Sequence, residues 1–511
     1  MEPLLLEVGV EEIPARFLAG AEQQLGERLT ETLHRVRLLP QDPQPASTFS
    51  TPRRLVARVP AVLLRQPHEV EEIIGPPVKV AFDQDGKPTR AAESFAEKNS
   101  IPVSRLLKIE TPKGLYLGLR KQVRGRFARE ILAEILPEVI LGISFPRSMY
   151  WTSKTGPRFI RPIRWLLAIF AEGERARTIP FEIAGVRSGR STFGHRVAGP
   201  KAISVKSFEE YAAKLRDRQV EIDPRHRSKI IRSEIKVILE GRSFEAVPDE
   251  GLHQWVIHST EWPHALMGGF DQRFLHLPRE ILVTVMRDHQ KYFAVENNSG
   301  ALQPNFITVI NLKGDPEGLI REGHERVLTA RFADAEFFWE ADLRVPLEAR
   351  QALLEKVTYQ AKMGSYAAKV ERMAAIAEGI CAELESQGSL EATARDQVLR
   401  GVRLCKCDLT TQMVREFTEL QGVVGGLYAR EQGEPDAVAD AIYDHYKPTN
   451  VGDACPRSKV GAIVALVDRL DSVAAGFAVG LDPTGSSDPF GLRRAGNGII
   501  KIAIEALGTL D

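Results

Sequence analysis

Near residue 320 the pattern of apolar residues changes, and that change restricts the chain to two kinds of packing. After it, Ala, Leu, Glu and Arg dominate. Apolar residues recur at helical spacing through 323–340, 347–361, 366–386, 392–419, 435–446 and 458–478. Before it, strand-like runs alternate with charged helical stretches. PLLLEVGV (3–10) reads as a buried strand, and 17–37 as an amphipathic helix with Leu18, Leu25, Leu29 and Leu33 on one face. Residues 47–64 read as a second strand region. Turn signals at Gly75-Pro76-Pro77 and Gln84-Asp85-Gly86, a helix at 89–99 and a hairpin around Pro112-Lys113-Gly114 outline a small insert. Residues 126–141 and 207–240 read as helical, 165–185 as strand-like, and 252–312 as short strands separated by turns. The expected fold is multidomain, an α+β N-terminal body followed by an all-α domain. Its expected segments are 1–200, with the insert near 70–125, a second α+β region at 201–340, and a helical domain at 341–511.

Several function classes are excluded at this level. No apolar run reaches the ~18 residues of a spanning helix, so no membrane is expected. Glu7, Glu11 and Glu12 interrupt the N-terminal apolar run, which does not read as a signal peptide. The four cysteines, Cys381, Cys405, Cys407 and Cys455, are sparse, and C-x-C is a poor metal or redox spacing. The phosphate loops, dinucleotide fingerprints, G-x-S-x-G elbows and H-E-x-x-H motifs are all missing.

Lys+Arg and Asp+Glu both number 68, so only local charge can argue for a nucleic-acid partner. The run FPRSMYWTSKTGPRFIRPIRW (145–165) supplies it. Arg147, Lys154, Arg158, Arg161 and Arg164 occur there without an acid, interleaved with Phe145, Tyr150, Trp151, Phe159 and Trp165. Guanidinium groups pair phosphates, and aromatic rings stack on unpaired bases. Arg187, Arg190, His195 and Arg196 form a second acid-free stretch, and Arg225-His226-Arg227-Ser228-Lys229 a third. The same residues fit arginines paired to acids elsewhere in the fold, and both readings stay open here. His253, His258 and His264 match no metal-ligand spacing and read as structural. Asp288 and His289, taken as neighbours on a strand, point to opposite sides and make a poor acid–base pair.

The helical region raises one catalytic alternative, an HD-type metal-dependent phosphohydrolase. Such bundles clasp a divalent metal with an early His, a His-Asp pair and a distant Asp. Here Cys407-Asp408 stands in place of the pair and Asp468 suits the distant acid, but no histidine lies between His324 and His445. The domain reads as HD-like with a degenerate site at Cys407, Asp408 and Asp468, and no metal is expected.

Taken in order, the longer motifs resemble one family. LLLEVGVEEIPA at the start resembles the opening of bacterial glycyl-tRNA synthetase beta subunits. TPRRL (51–55), FPRSMYW, RFIRPIRWL, TFGHR (192–196), EWPHALMGGFDQRFLHLPREIL, MRDHQKYF, RVLTARFADAEFFWEAD and CKCDLTTQMVREFTELQGVVGGLYA follow in the family's order, closed by DPTGS (482–486) and DPFGLRRA (488–495). The resemblance spans nearly the whole chain. It implies a cytoplasmic glycine–tRNA ligase of alpha2beta2 form, in which the alpha subunit binds ATP, Mg and glycine and carries the chemistry. No catalytic residue and no cofactor is expected on this chain. Its expected partners are the alpha subunit and tRNA(Gly). Arg147, Lys154, Arg158, Arg161, Arg164, Arg187, Arg190 and Arg196 are the expected tRNA or subunit contacts. The family carries Lys-Ala-Asp where this chain has Lys406-Cys407-Asp408, so the degenerate HD site is expected to be a family trait. The resemblance also implies a C-terminal anticodon-binding domain beyond EALGTLD, which this chain is expected to lack.

Overall fold

The computed structural model describes residues 1–508 except Gln84, Glu172, Gly485, Ser486, Ser487 and Pro489. Parts of three expected features, the Gln84 turn and the DPTGS and DPFGLRRA motifs, lie outside the described residues, as do Thr509, Leu510 and Asp511. The chain forms two compact units. The first comprises Met1–Ser233, His253–His264 and Ile310–Gly314; the second comprises Glu234–Leu252, Ala265–Val309 and Asp315–Asp511. The expected cuts at 200 and 340 fall inside the first and the second unit respectively. Among the described residues no helix is long and apolar enough to cross a membrane.

In the first unit the strand Glu2–Val10 lies in the middle of a sheet. The order is Glu182–Ile183, Val186–Gly189, Ile163–Phe170, Glu2–Val10, Arg54–Val62, Ser47–Thr51, with Arg177–Thr178 also on Ile163–Phe170. Period-two alternation decides what each face holds. Leu4, Leu6, Val8 and Val10 pack with Leu18, Leu25, Leu29 and Leu33 of the helix Ala15–Arg35 and with the helix Ala128–Leu141. Leu5 turns to the other face, against Val56, Leu167, Ile169 and Tyr211. Both faces are covered, which is why PLLLEVGV is apolar almost throughout. Residues 69–123 make a separate three-stranded sheet, Glu69–Pro77, Gly114–Val123 and Leu107–Thr111, with the helix Arg90–Lys98 and a small core of Ala81, Ala92 and Leu117.

The exception to apolar packing is Glu7, fully buried on the second face. Glu7 lies opposite Leu167 and Val56, and Arg54 lies opposite Gly9 in the adjoining register. A Cβ on Gly9 would fall 1.9 Å from the Trp165 ring, so only glycine fits there. Arg54, also fully buried, places Nη1 3.3 Å from Glu7 Oε1 and Nη2 3.0 Å from Glu261 Oε1. It also donates to the Phe193 carbonyl at 2.9 Å. Thr192 donates to Glu7 at 2.9 Å, and Thr51 donates to Glu261 at 2.6 Å. Burial pushes the Glu7 carboxyl up, while Arg54 and the hydrogen bonds pull it back down.

The second unit holds a four-stranded sheet, in the order Phe244–Ala246, Phe293–Asn297, Leu302–Ile310, His264–Gly269, and the helices Leu319–Leu343, Tyr366–Ser386, Ala392–Leu404, Val423–Glu431, Asp436–Asp444, Lys459–Ala478 and Leu492–Ile502. Three expectations need correction. Residues 252–312 are not simply strands and turns, because Glu250–Ser259 and Arg279–Gln290 are helical. In the latter, Ile281, Leu282, Val285 and Met286 are buried at i, i+1, i+4 and i+5 spacing, a helical period that a strand reading misses. The helix expected over 347–361 is a 3-10 segment, Glu348–Lys356, followed by the strand Thr358–Gln360 paired to Gly364–Ser365. The helix expected over 392–419 stops at Leu404 and resumes at Gln412, where the Thr411 side chain caps it by accepting from the Val414 N–H.

Among the described residues Arg54 is the only cation that pairs with both Glu7 and Glu261, so removing it leaves Glu7 without an ion-pair partner and Glu261 with weaker compensation. Arg54→Met should destabilise the first unit by about 3–5 kcal/mol, read as an earlier midpoint in urea unfolding. A midpoint within error of the parent would mean the pair is dispensable.

Candidate functional sites

The acid-free run 145–165 begins with a short hairpin, Met149–Tyr150 paired to Arg158–Phe159. Across it the Arg158 guanidinium lies 5.2 Å from the centre of the exposed Tyr150 ring. Arg147 and Lys154 are exposed, and among the described residues neither they nor Arg158 forms an ion pair. Arg161 is half-buried and donates to the Ile160 carbonyl at 2.9 Å. Arg164, Arg187 and Arg196 are acid-free in sequence only. Arg164 meets Glu11 at 3.2 Å, and Arg196 meets Glu11 at 3.1 Å and Glu12 at 3.4 Å. Arg187 meets Glu182 at 3.0 Å, and Arg190 is half-buried.

Most of the interleaved aromatics are not free to stack on bases. Phe159 is buried edge-to-face on Phe145, and Trp165 is buried against Phe193. Phe145 and Trp151 pack on the main core of the first unit. Tyr150 alone of the five is exposed. In the third basic stretch Arg227 is fully buried and donates to three carbonyls, those of Ile257, Glu221 and Ser50. Burial lowers its pKa to about 10, and its role is structural.

The histidines settle into local contacts. His253 Nε2 lies 2.8 Å from Ser228 Oγ. Burial, then nearby Arg227, lowers His258 to about 4. Asp288 and His289 do not sit on a strand but in the π-helical turn Val285–Gln290. Asp288 pairs with Arg287 at 2.6 Å, while His289 faces Glu419 and the Phe417 ring.

In the second unit Cys407, Asp408 and Asp468 do not assemble as ligands. Cys407 is buried with its thiol toward the Arg403 carbonyl, and burial pushes its pKa up. Asp408 Oδ2 accepts from the Gly422 N–H at 2.5 Å. Burial pushes this carboxyl up to about 6, against the pull of that N–H. Asp468 instead faces two buried ammonium groups, Lys406 Nζ at 2.8 Å and Lys369 Nζ at 2.9 Å. Burial alone would raise Asp468, but Lys406 and Lys369 hold it well below the carboxylate range. Lys369 also reaches Asp471 at 2.8 Å, and Arg372 reaches Asp471 at 2.6 Å. His445 is buried, donates through Nδ1 to the Ile442 carbonyl, and is kept neutral because burial lowers its pKa to about 3.

A divalent metal needs lone pairs converging on one point. Here the charge facing Asp468 already comes from lysine side chains, and among the described residues no group of three or more His, Cys, Asp or Glu could hold a metal ion. The residues present do not fit the metal of an HD hydrolase. Sequence reasoning missed Lys369, Asp471 and the Glu7–Arg54–Glu261 network. Glu7 carried a signal, being an acid inside an apolar strand; the lysines carried none.

The glycyl-tRNA synthetase beta subunit family matches residues 4–511. The glycine–tRNA ligase beta subunit of Acidobacterium capsulatum is 44% identical over 99% of this chain and 71% of its own length. That of Syntrophotalea carbinolica is 42% identical over 98% and 71%, and that of Acaryochloris marina 40% identical over 98% and 69%. These comparisons give no support to the phosphohydrolase alternative.

The Asp408 carboxyl yields a signed pH prediction. Its folded pKa is raised from 3.8 to about 6. Its contribution is therefore fully present below about 3.8 and is lost as pH rises through about 6. Asp408→Asn removes that loss. The variant should be more stable than the parent by about 2–3 kcal/mol at pH 8, with the gap shrinking toward pH 5. Urea melts at the two pH values measure it. A variant less stable at pH 8 would show that the ionised carboxylate is required.

Proposed function

Since the chain belongs to the glycyl-tRNA synthetase beta subunit family, we propose that it serves as the beta subunit of a cytoplasmic glycine–tRNA ligase. It works with an alpha subunit in an alpha2beta2 assembly and helps hold tRNA(Gly). The alpha subunit binds glycine, ATP and Mg and carries the chemistry. The family match across residues 4–511 carries this reading. The lysine-filled position around Asp468 supports a structural helical domain with no hydrolase of its own.

Within this reading the exposed cations without ion pairs, Arg147, Lys154 and Arg158, are the foremost candidates for RNA phosphate contacts. Arg161, Arg164, Arg187, Arg190 and Arg196 are secondary candidates for RNA or alpha-subunit contact. A glycylation assay with this chain, with cognate alpha subunit and with both together tests the assignment. Activity only in the mixture is expected. A mixture without activity, beside an alpha subunit that glycylates tRNA with a known beta subunit, would count against this chain as a functional beta subunit.

Charge reversal at Arg147, Lys154 and Arg158 together should weaken tRNA binding by roughly tenfold or more at moderate salt. It should also lower the log–log salt slope by about one per lost phosphate contact. Filter binding across a salt series measures both, and an unchanged slope would remove these residues from the interface.

A further inference from the structure

A cleft of about 330 Å³ opens in the first unit, lined by Glu12, Arg53, His195, Arg196, Glu261 and Asn311 among others. Its walls come from TPRRL, TFGHR and the EEIPA opening, yet nothing so far gives it a task.

Two residues lining this cleft each hold a buried donor that, among the described residues, lacks an acceptor. His195 is only 3% exposed. Its Nδ1 accepts from the backbone N–H groups of Val197 at 3.3 Å and Ala198 at 3.2 Å. The ring proton therefore sits on Nε2, and Nε2 is buried with no hydrogen-bond partner. Arg53 is half-buried, its Nε is likewise buried without a partner, and among the described residues its guanidinium makes no ion pair. It lies 5.4 Å from the centre of the Trp165 ring. Burial is the largest influence on the Arg53 pKa and lowers it; Glu261 and Glu11 pull it up, Arg54 and Arg196 push it down, and the net shift is downward. A buried donor left without an acceptor costs about 1–3 kcal/mol, so two at one cleft call for an explanation.

The carboxylates in and beside the cleft have other partners, and among the described residues none meets either donor. Glu11 and Glu12 hold Arg196, and Glu261 Oε1 is shared by Thr51 and Arg54. The acceptor that would complete the site therefore comes from outside the chain. A planar guanidinium fork matches the paired oxygens of a carboxylate or a phosphate, and a neutral imidazole N–H adds a third, directional donor. Glu12 and Glu261 line the same cleft and limit its positive charge, which suits one anionic group and not a run of phosphates.

We propose that this cleft is a binding site for a single oxyanion group, a phosphate or a carboxylate, held by the Arg53 guanidinium and the His195 Nε2–H. The site stands on its own geometry and not on the family reading. Glycylation does not enter its test, so either idea can fail alone.

The test is isothermal titration calorimetry of the whole chain with sodium phosphate, and separately with sodium acetate, at matched ionic strength. Saturable one-to-one binding of at least one anion is expected. Phosphate alone would identify a phosphate site, acetate alone a carboxylate site, and both a general oxyanion site. Arg53→Gln should weaken binding at least tenfold. Circular dichroism checks that this variant folds. If it does not, Arg53→Lys keeps the charge, loses the fork and should weaken binding several-fold. His195→Gln should also weaken binding but alters a buried position, so Arg53 carries the decision. No saturable binding of either anion by the parent chain would overturn the proposal. So would undiminished binding by the folded Arg53 variant.

Discussion

The first unit turns on one guanidinium. Arg54 reaches Glu7 on the central strand, the Phe193 carbonyl and Glu261 from a distant part of the chain. A buried ion cluster of this kind is a poor source of net stability, because desolvation offsets most of the Coulomb gain. What it supplies is register. If Glu2–Val10 slipped by one residue, Glu7 would move to the face packed by Leu18, Leu25 and Leu29, where it has no cation. The leucines alone would tolerate more than one alignment; the carboxylate does not. Gly9 fixes the same register a second way, since only glycine accommodates the Trp165 ring beside it.

A different use of buried charge organises the second unit. Lys406 and Lys369 neutralise Asp468 and Asp471 from within the chain. An ammonium differs from a metal in the feature that matters for hydrolysis. It is a donor with no open coordination position, so it can neither bind nor acidify a water as a Lewis acid does. It does keep the helices Tyr366–Ser386 and Lys459–Ala478 tied together at a fixed alignment. Asp408 is nearby in sequence but serves the backbone, closing the turn at Gly422. Gly425 leaves room for it, since a Cβ there would lie 3.2 Å from the Asp408 side chain.

Much of this architecture was legible in the sequence where a local pattern determines the outcome. The spacing of Leu18, Leu25, Leu29 and Leu33 gave the first helix, and Pro112-Lys113-Gly114 gave the hairpin between Leu107–Thr111 and Gly114–Val123. Reading failed where contacts are distant. Arg54 and Glu261 are 207 residues apart, and Arg196 and Glu11 are 185 apart. A window without acids therefore says little about whether its arginines are paired. The interleaved aromatics misled in the same way, because Phe159 and Trp165 belong to the core while Tyr150 faces solvent. At Asp288-His289 the residues that decide between strand and helix are Ile281 to Met286, outside the motif itself.

Pairing does not remove an arginine from a nucleic-acid surface, and burial decides which pairs matter. Arg164, Arg187 and Arg196 keep 60%, 86% and 56% side-chain exposure in their ion pairs. Exposed pairs of this kind contribute about 0–1 kcal/mol, so exchanging a glutamate for a phosphate costs little. Arg227 is the opposite case. Its guanidinium is spent on three carbonyls inside the fold, and no ligand could draw it out without breaking them. The cations therefore divide into three groups. Among the described residues Arg147, Lys154 and Arg158 form no ion pair; Arg164, Arg187 and Arg196 are exchangeable, and Arg227 is committed to the fold. The same criterion sets Arg53 apart, because it is half-buried as a structural arginine would be and yet, among the described residues, it makes no ion pair and its Nε has no acceptor.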